Sequence, residues 1–142
     1  LIALPLAAPP QQVAERPTPP AFHAVNVLVV EDNVDAAQTI AEVLELEGHR
    51  VHVATDGRSG LARARELRPD VILCDLGLPD LDGCEVARRL RADVALRSIR
   101  LVALSGYAQP EDRRRAREAG FDAHLAKPVS VAELVAALAR DA

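Results

Sequence analysis

Methionine and tryptophan are absent from this chain, and its aromatic side chains are only Phe22, Phe121 and Tyr107. With so few rings, a core has to be assembled from Val, Leu, Ile and Ala. Cysteine is nearly absent too. Cys74 and Cys84 are too few for a disulfide framework, and no CxxC pair indicates zinc, so they read as two buried small hydrophobes in a reducing compartment. No apolar run reaches the roughly 18 residues that a membrane span requires. Residues 1–8 are apolar but short and lack a basic flank, which makes them a poor signal peptide. No charge of one sign dominates. A net charge of −4 gives no basic footprint for nucleic acid and is too mild for a disordered acidic tail. A chain that starts at Leu1 and holds no methionine also reads as a piece excised from a longer protein.

What is present describes an ordinary globular domain. Of the 142 residues, 49% are hydrophobic and 27% charged, enough to bury one real core. Residues 1–24 stand apart, because Pro5, Pro9, Pro10, Pro17, Pro19 and Pro20 fall there. That composition favours extended polyproline-II geometry and reads as a linker, with residues 1–6 as the possible last strand of an upstream domain.

From residue 25 the pattern alternates. NVLVV at 26–30 is a continuous apolar run, as in a strand covered on both faces. Residues 34–47 carry Ala37, Ile40, Val43 and Leu44 at helical spacing, with Gly48 placed to stop the helix. The same alternation predicts strands at 50–54, 71–74, 100–104 and 123–126, and helices at 58–67, about 84–91, 110–119 and after residue 130. The last helix bears Val131, Leu134, Val135 and Leu138 at i, i+3, i+4 and i+7. Such a series implies a single (βα)5 parallel sheet with helices on both faces. Ligands of such sheets bind beyond the carboxyl ends of the strands, so the residues at those ends matter most.

Five chemically capable side chains fall there. Glu31 and Asp32 follow the first strand, Asp75 the third, Ser105 the fourth and Lys127 the fifth. Singly, each is commonplace: acidic residues after strands are mostly solvated, and a loop serine is mostly a turn residue. Together they converge on one rim. Three carboxylates repel one another and invite a hard divalent cation, for which Mg²⁺ is suited. Lys127 adds a fixed positive charge and Ser105 a hydroxyl, and a carboxylate is a known nucleophile for phosphoryl groups.

At this point the chain resembles the receiver domains of two-component response regulators over residues 25–142. VLVVEDN at 27–33 is similar to the family's acidic pair, and DLGLPDLDG at 75–83 to its phosphorylation loop. LSGYA at 104–108 holds its hydroxyl residue and AKPV at 126–129 its Lys–Pro. The resemblance implies a flavodoxin-like fold with strand order 2-1-3-4-5. It implies Asp75 as phosphoacceptor, and Mg²⁺ held by Glu31 through water, by Asp32 and Asp75, and by the Gly77 backbone carbonyl. Ser105 would bond the phosphoryl oxygen after transfer. Lys127 would bind Asp75 and the phosphate, followed by a cis bond to Pro128. The implied partner is a histidine kinase or histidine phosphotransfer domain, in cis or in trans, with no nucleic acid and no membrane contact in this fragment.

Two positions depart from the family's common form. Where it often has a Tyr or Phe that turns inward on activation, this chain has His124. This is either a tolerated surface histidine or, with Ser105, part of a pH-sensitive switch, since histidine titrates near neutrality. Gly77 puts no side chain over the site, which predicts a short-lived phospho-state. The helix after Pro110 is richly charged and anchored by little beyond Ala116 and Ala119, so it is expected to be the loosest.

The start LPLA, the Pro-rich linker and GFDAHLAKPV at 120–129 resemble the C-terminal receiver of a hybrid sensor histidine kinase. The implied setting is cytoplasmic, with a parent that can be membrane-anchored and is itself a protein-histidine kinase. The isolated domain would be a phosphoacceptor rather than a conventional enzyme. The alternatives are a free-standing or N-terminal receiver of a response regulator, a flavodoxin-like enzyme, and a non-phosphorylated interaction module. The enzyme would want a Gly-rich phosphate loop where this chain has EDN.

Overall fold

The computed structural model describes residues 24–106 and 109–138. Residues 1–23, and with them the linker and the upstream strand, lie outside the described residues. The elements run β1 Asn26–Val30, α1 Val34–Leu46, β2 Arg50–Ala54, α2 Gly57–Leu67, β3 Val71–Asp75, α3 Gly83–Ala92, β4 Arg100–Ser105, α4 Pro110–Ala119, β5 Ala123–Ala126 and α5 Val131–Leu138. All strands pair in parallel, in the order β2-β1-β3-β4-β5 that the resemblance implied.

The unbroken apolar runs exist because both faces of the central strands are covered. Alternate residues go to opposite sides. Leu28, Val30, Ile72, Cys74, Leu101 and Ala103 pack under α2, α3 and α4, joined by Leu61, Val86, Leu90 and Ala116. Val27, Val29, Val71, Leu73, Val102 and Leu104 pack under α1 and α5, joined by Ile40, Leu44 and Leu134. Phe121 is the one ring among the described residues of the first cluster. No helix among the described residues is long and apolar enough to cross a membrane.

Helix ends are set by local chemistry. The Asn33 side chain accepts from the Ala36 amide and opens α1; Gly48, at φ 98°, lets the chain leave it. Asp56 caps α2 through the Ser59 amide, which starts that helix at Gly57 rather than at residue 58. α4 has Pro110 in its first turn, and only Ala116 and Ala119 buried, as its composition foretold.

The third and fourth strands run one residue further than their apolar runs, so Asp75 and Ser105 are strand-terminal residues instead of loop residues. Both are buried, and the ladder fixes their backbones, with Asp75 opposite Leu104.

Gly83, the first residue of α3, is where chain meets chain. A Cβ there would lie 2.5 Å from the Asp75 carbonyl oxygen and 2.7 Å from Leu76 Cα. Backbone atoms cannot swing aside as a side chain can. Gly83→Ala is therefore expected to destabilise the fold by about 3 kcal/mol, read as a lower urea midpoint with an unchanged m value. An unshifted midpoint would show that α3 can back away from the Asp75 loop.

Candidate functional site

Parallel pairing brings the ends of β1, β3, β4 and β5 to one edge of the sheet. Glu31 stays in the ladder after β1, its amide donating to the Ala54 carbonyl at 3.0 Å. The Leu76 amide reaches the Leu104 carbonyl at 2.9 Å, and the Lys127 amide reaches that of Ser105 at 2.8 Å. Glu31, Asp75, Ser105 and Lys127 are thus each held by a neighbouring strand. The Lys127–Pro128 bond is cis, as the resemblance implied.

Glu31, Asp32 and Asp75 each offer a carboxylate oxygen, and these oxygens all lie within 4.8 Å of one another. Glu31 and Asp75 are buried and Asp32 is exposed. The Lys127 ammonium stands against this trio, 2.6 Å from Glu31 Oε1 and 3.5 Å from Asp75 Oδ1. The other Glu31 oxygen accepts from the Asn33 amide at 3.1 Å. Burial pushes the Glu31 carboxyl above its ordinary range, against the pull of Lys127, and the Asp75 charge adds to the rise. Burial works to lower Lys127, but its bond to Glu31 and the charges of Asp75 and Glu31 outweigh that and hold the ammonium above its usual value. Three oxygen-only donors, two of them taken from water, form a set that suits a small hard divalent ion.

Beside the trio opens a cleft of about 230 Å³ whose lining includes Asp75, Gly77, Ser105, Cys84 and Arg115. Gly77 leaves it open: among the described residues a Cβ there would approach only Asp75 Oδ1, at 4.0 Å, while its amide donates to that oxygen at 3.1 Å. The five strand-end residues predicted to converge, Glu31, Asp32, Asp75, Ser105 and Lys127, do so, with Gly77 at the cleft.

His124 stands on β5 opposite Ala103, a member of the core under α4. The tolerated surface histidine is not what the structure shows. The side chain is only partly exposed, and both ring nitrogens are buried with no hydrogen-bond partner among the described residues. Burial first, then the nearby Arg113 guanidinium, lower its pKa from 6.5, with Asp112 opposing. The neutral ring is therefore the folded form, and protonation favours unfolding. Its contribution is full above pH 6.5 and is lost as pH falls below that value. His124→Phe is expected to flatten the fall of stability below pH 6.5, measured by urea unfolding at stepped pH. An equal fall in both proteins would remove His124 as its source.

Sequence reasoning missed Asp80. From the loop after β3 it accepts from the amides of Gly57 at 2.7 Å and Arg58 at 2.9 Å, at the start of α2. Partial desolvation opposes ionisation, yet these amides hold the carboxyl down to about 2. Asp80 thereby ties the Asp75 loop to a neighbouring helix. Also missed was Arg115, whose guanidinium lies 3.7 Å from Asp82 and 4.0 Å from Asp112 at the mouth of the cleft. An acidic residue between Pro79 and Gly83 was visible in the sequence, but its partner, more than 20 residues away, was not.

An order-2-1-3-4-5 parallel sheet bearing three carboxylates and one lysine on its carboxyl edge defines the receiver class. Comparison with known proteins agrees. Residues 27–139 match the family model for the response regulator receiver domain. The polar-differentiation response regulator DivK of Brucella anthropi is 36% identical over 110 residues, covering 78% of this chain and 89% of that one. The receiver domain of a sensor histidine kinase from Pseudomonas aeruginosa, solved with a magnesium ion in its active-site cleft, is 36% identical. It has a TM-score of 0.75 and covers 82% of this chain and 95% of that one. A chemotaxis response regulator of Vibrio cholerae is 28% identical with a TM-score of 0.77, covering 82% and 97%. The chain belongs to the response-regulator receiver domains of two-component signalling.

Proposed function

We infer that Asp75 accepts a phosphoryl group from a phosphohistidine donor, with Mg²⁺, and that the resulting acyl phosphate then hydrolyses slowly. One observation carries this: the Asp75 carboxylate is shared between an oxygen trio fit for a divalent ion and the Lys127 ammonium, at the mouth of an open cleft. An Asp75 oxygen bonds to phosphorus as the donor's N–P bond breaks, and that bond pair returns to the imidazole. Mg²⁺, held by Asp32, Asp75 and the Gly77 carbonyl, with Glu31 acting through water, would neutralise charge on the transferring oxygens. Lys127 opposes the remaining charge, and the Ser105 hydroxyl bonds a phosphoryl oxygen after transfer. That bond draws the end of β4 inward, and the thinly anchored α4 next to it, with His124 beneath, is the part free to respond.

The test is incubation with acetyl phosphate. A Mg²⁺-dependent, hydroxylamine-sensitive phosphoprotein is expected; no label, or label indifferent to Mg²⁺, would refute the reading. With no side chain at Gly77 to screen the cleft, the label is expected to decay well within hours once donor is removed. A half-life of many hours would show that something else excludes water.

The phosphodonor is a histidine kinase or histidine phosphotransfer domain, in cis or in trans, in the cytoplasm. A place at the C-terminal end of a hybrid sensor histidine kinase, with residues 1–24 as linker, draws support from the Pro-rich start and from the likeness to the Pseudomonas kinase receiver. A stand-alone regulator draws equal support from DivK, which this chain matches over 89% of that protein's length. An ATP-binding box and a phosphoacceptor-histidine helix upstream in the parent gene would decide for the first.

A further inference from the structure

At the end of the sheet opposite Asp75, a second and larger cavity of about 540 Å³ opens between the segment leading into β4, the last turns of α3 and α4, and the turn before β5. It lies at the amino ends of the strands, and nothing in the phosphoacceptor site uses it. Its size falls within the roughly 300–1,000 Å³ common for small-ligand sites.

Its frame is built by one side chain. Arg91, three-quarters buried, donates from Nε to the Gly120 carbonyl at 2.9 Å and from Nη1 to the carbonyls of Arg97 at 2.6 Å and Ile99 at 2.7 Å. Its Nη2 donates to Asp122 Oδ2 at 2.9 Å. The same Asp122 oxygen accepts from the Leu101 amide, so one guanidinium locks the two loops on either side of the cavity together. Arg100 is anchored as well, its Nε donating to the Ala137 carbonyl at 2.6 Å. Asp122, the one carboxylate lining the cavity, is thus already neutralised by Arg91.

The charge left over is unusual for this protein, whose net charge is −4. Among the described residues, most arginines lie within 4.0 Å of a carboxylate, as Arg89 does of Glu85 and Arg114 of Glu118. The described arginines with no carboxylate at that distance are Arg50, Arg68, Arg97, Arg100, Arg113 and Arg117. Three of those six, Arg97, Arg100 and Arg117, line this one cavity. The side chains of Arg97 and Arg117 make no hydrogen bond or ion pair with any described residue. Guanidinium forks match phosphate oxygens in pairs. Arg97 comes from the segment leading into β4 and Arg117 from α4, so an anion of two linked phosphates offers one phosphate to each side of the cavity.

We propose that this arginine-lined cavity is a second, metal-independent binding site for a small anion carrying two linked phosphates. Arg97 and Arg117 clasp the phosphates, Arg100 adds charge from one wall, and Arg91 holds the loops in place without itself being the specificity element.

The test is amide NMR and calorimetry on the whole chain with a chelator present, so that the carboxylate trio holds no metal. ADP and pyrophosphate are the probes, with inorganic phosphate and sulfate as comparisons. Both diphosphates are expected to shift the amides of residues 97–101 and 117–122, to bind more tightly than either single anion, and to leave the Asp75 loop unmoved. Arg97→Gln and Arg117→Gln, both at exposed positions that leave the core intact, should each weaken binding about tenfold. Asp75→Asn should bind as the wild type does, which separates this site from the phosphoacceptor. Equal affinity for sulfate and pyrophosphate would mean general charge attraction and overturn the proposal. So would shifts elsewhere, or full affinity in the Arg97→Gln, Arg117→Gln double variant.

Discussion

Asp75→Asn is expected to abolish labelling by acetyl phosphate while leaving the fold and most of the divalent-ion affinity in place. An amide fills the same volume as a carboxylate, so the buried end of β3 is not repacked. It still offers one oxygen to the trio, but it lacks the anionic oxygen that forms the acyl phosphate. The other two carboxylates are no substitutes. Glu31 is spoken for on both oxygens, by Lys127 and by the Asn33 amide. Asp32 is exposed, and Lys127 contacts Glu31 and Asp75 rather than Asp32. The expected outcome is loss to background, with the variant's amide spectrum otherwise superimposable. Label reappearing on Asp32 or Glu31 would mean that the cleft, and not the identity of the carboxylate, selects the acceptor.

Lys127→Ala is expected to move two observables in opposite directions. The ammonium competes with a divalent ion for the same oxygens, at 2.6 Å and 3.5 Å. Removing it should tighten Mg²⁺ binding by roughly 1 kcal/mol, because the site is partly open and the Coulomb gain is screened. The rate of phosphoryl acceptance should nonetheless fall about a hundredfold, since a fixed charge placed where negative charge develops cannot be replaced by solvent. The fold should also lose about 2 kcal/mol, below the roughly 3–5 kcal/mol for breaking a fully buried pair, because Lys127 is itself 30% exposed. Because the chain has no tryptophan, calorimetry is the natural reading for the metal and acetyl phosphate labelling for the rate. If affinity and rate fell together, Lys127 would be a scaffold for the carboxylates and nothing more.

Much of this was readable in the residues. Strands covered on both faces leave unbroken apolar runs, so residues 26–30 and 71–74 announced themselves, and five strand–helix units in series permit few topologies. Because parallel strands all end on the same side, residues far apart in sequence could be assigned to one rim without coordinates. Bonds whose two ends lie in unrelated segments were not readable. Asp80 looked like a turn residue, yet its oxygens serve two amides in α2. Nothing in the pattern of α3 marked Arg91 as the side chain that joins two distant loops. The two readings of His124 could not be separated for a related reason: the sequence could not say how closely α4 lies over its face of β5. Asp75 and Ser105 were placed just beyond their strands because a polar residue breaks an apolar run, although the hydrogen-bonded ladder continues through it.

The Glu31–Lys127 bond joins residues 96 positions apart, nearly the whole span of the described chain. During synthesis the three carboxylates emerge from the ribosome long before Lys127, the cation that pairs with Glu31 and Asp75. A nascent chain that has not yet delivered β5 has nothing with which to close the rim, and its acidic residues repel one another. A copy that ends before β5 is therefore expected to accept phosphate from acetyl phosphate far more slowly than the whole domain. On the proposed reading, the rim that would handle the phosphoryl group is complete only when the last strand has joined the sheet.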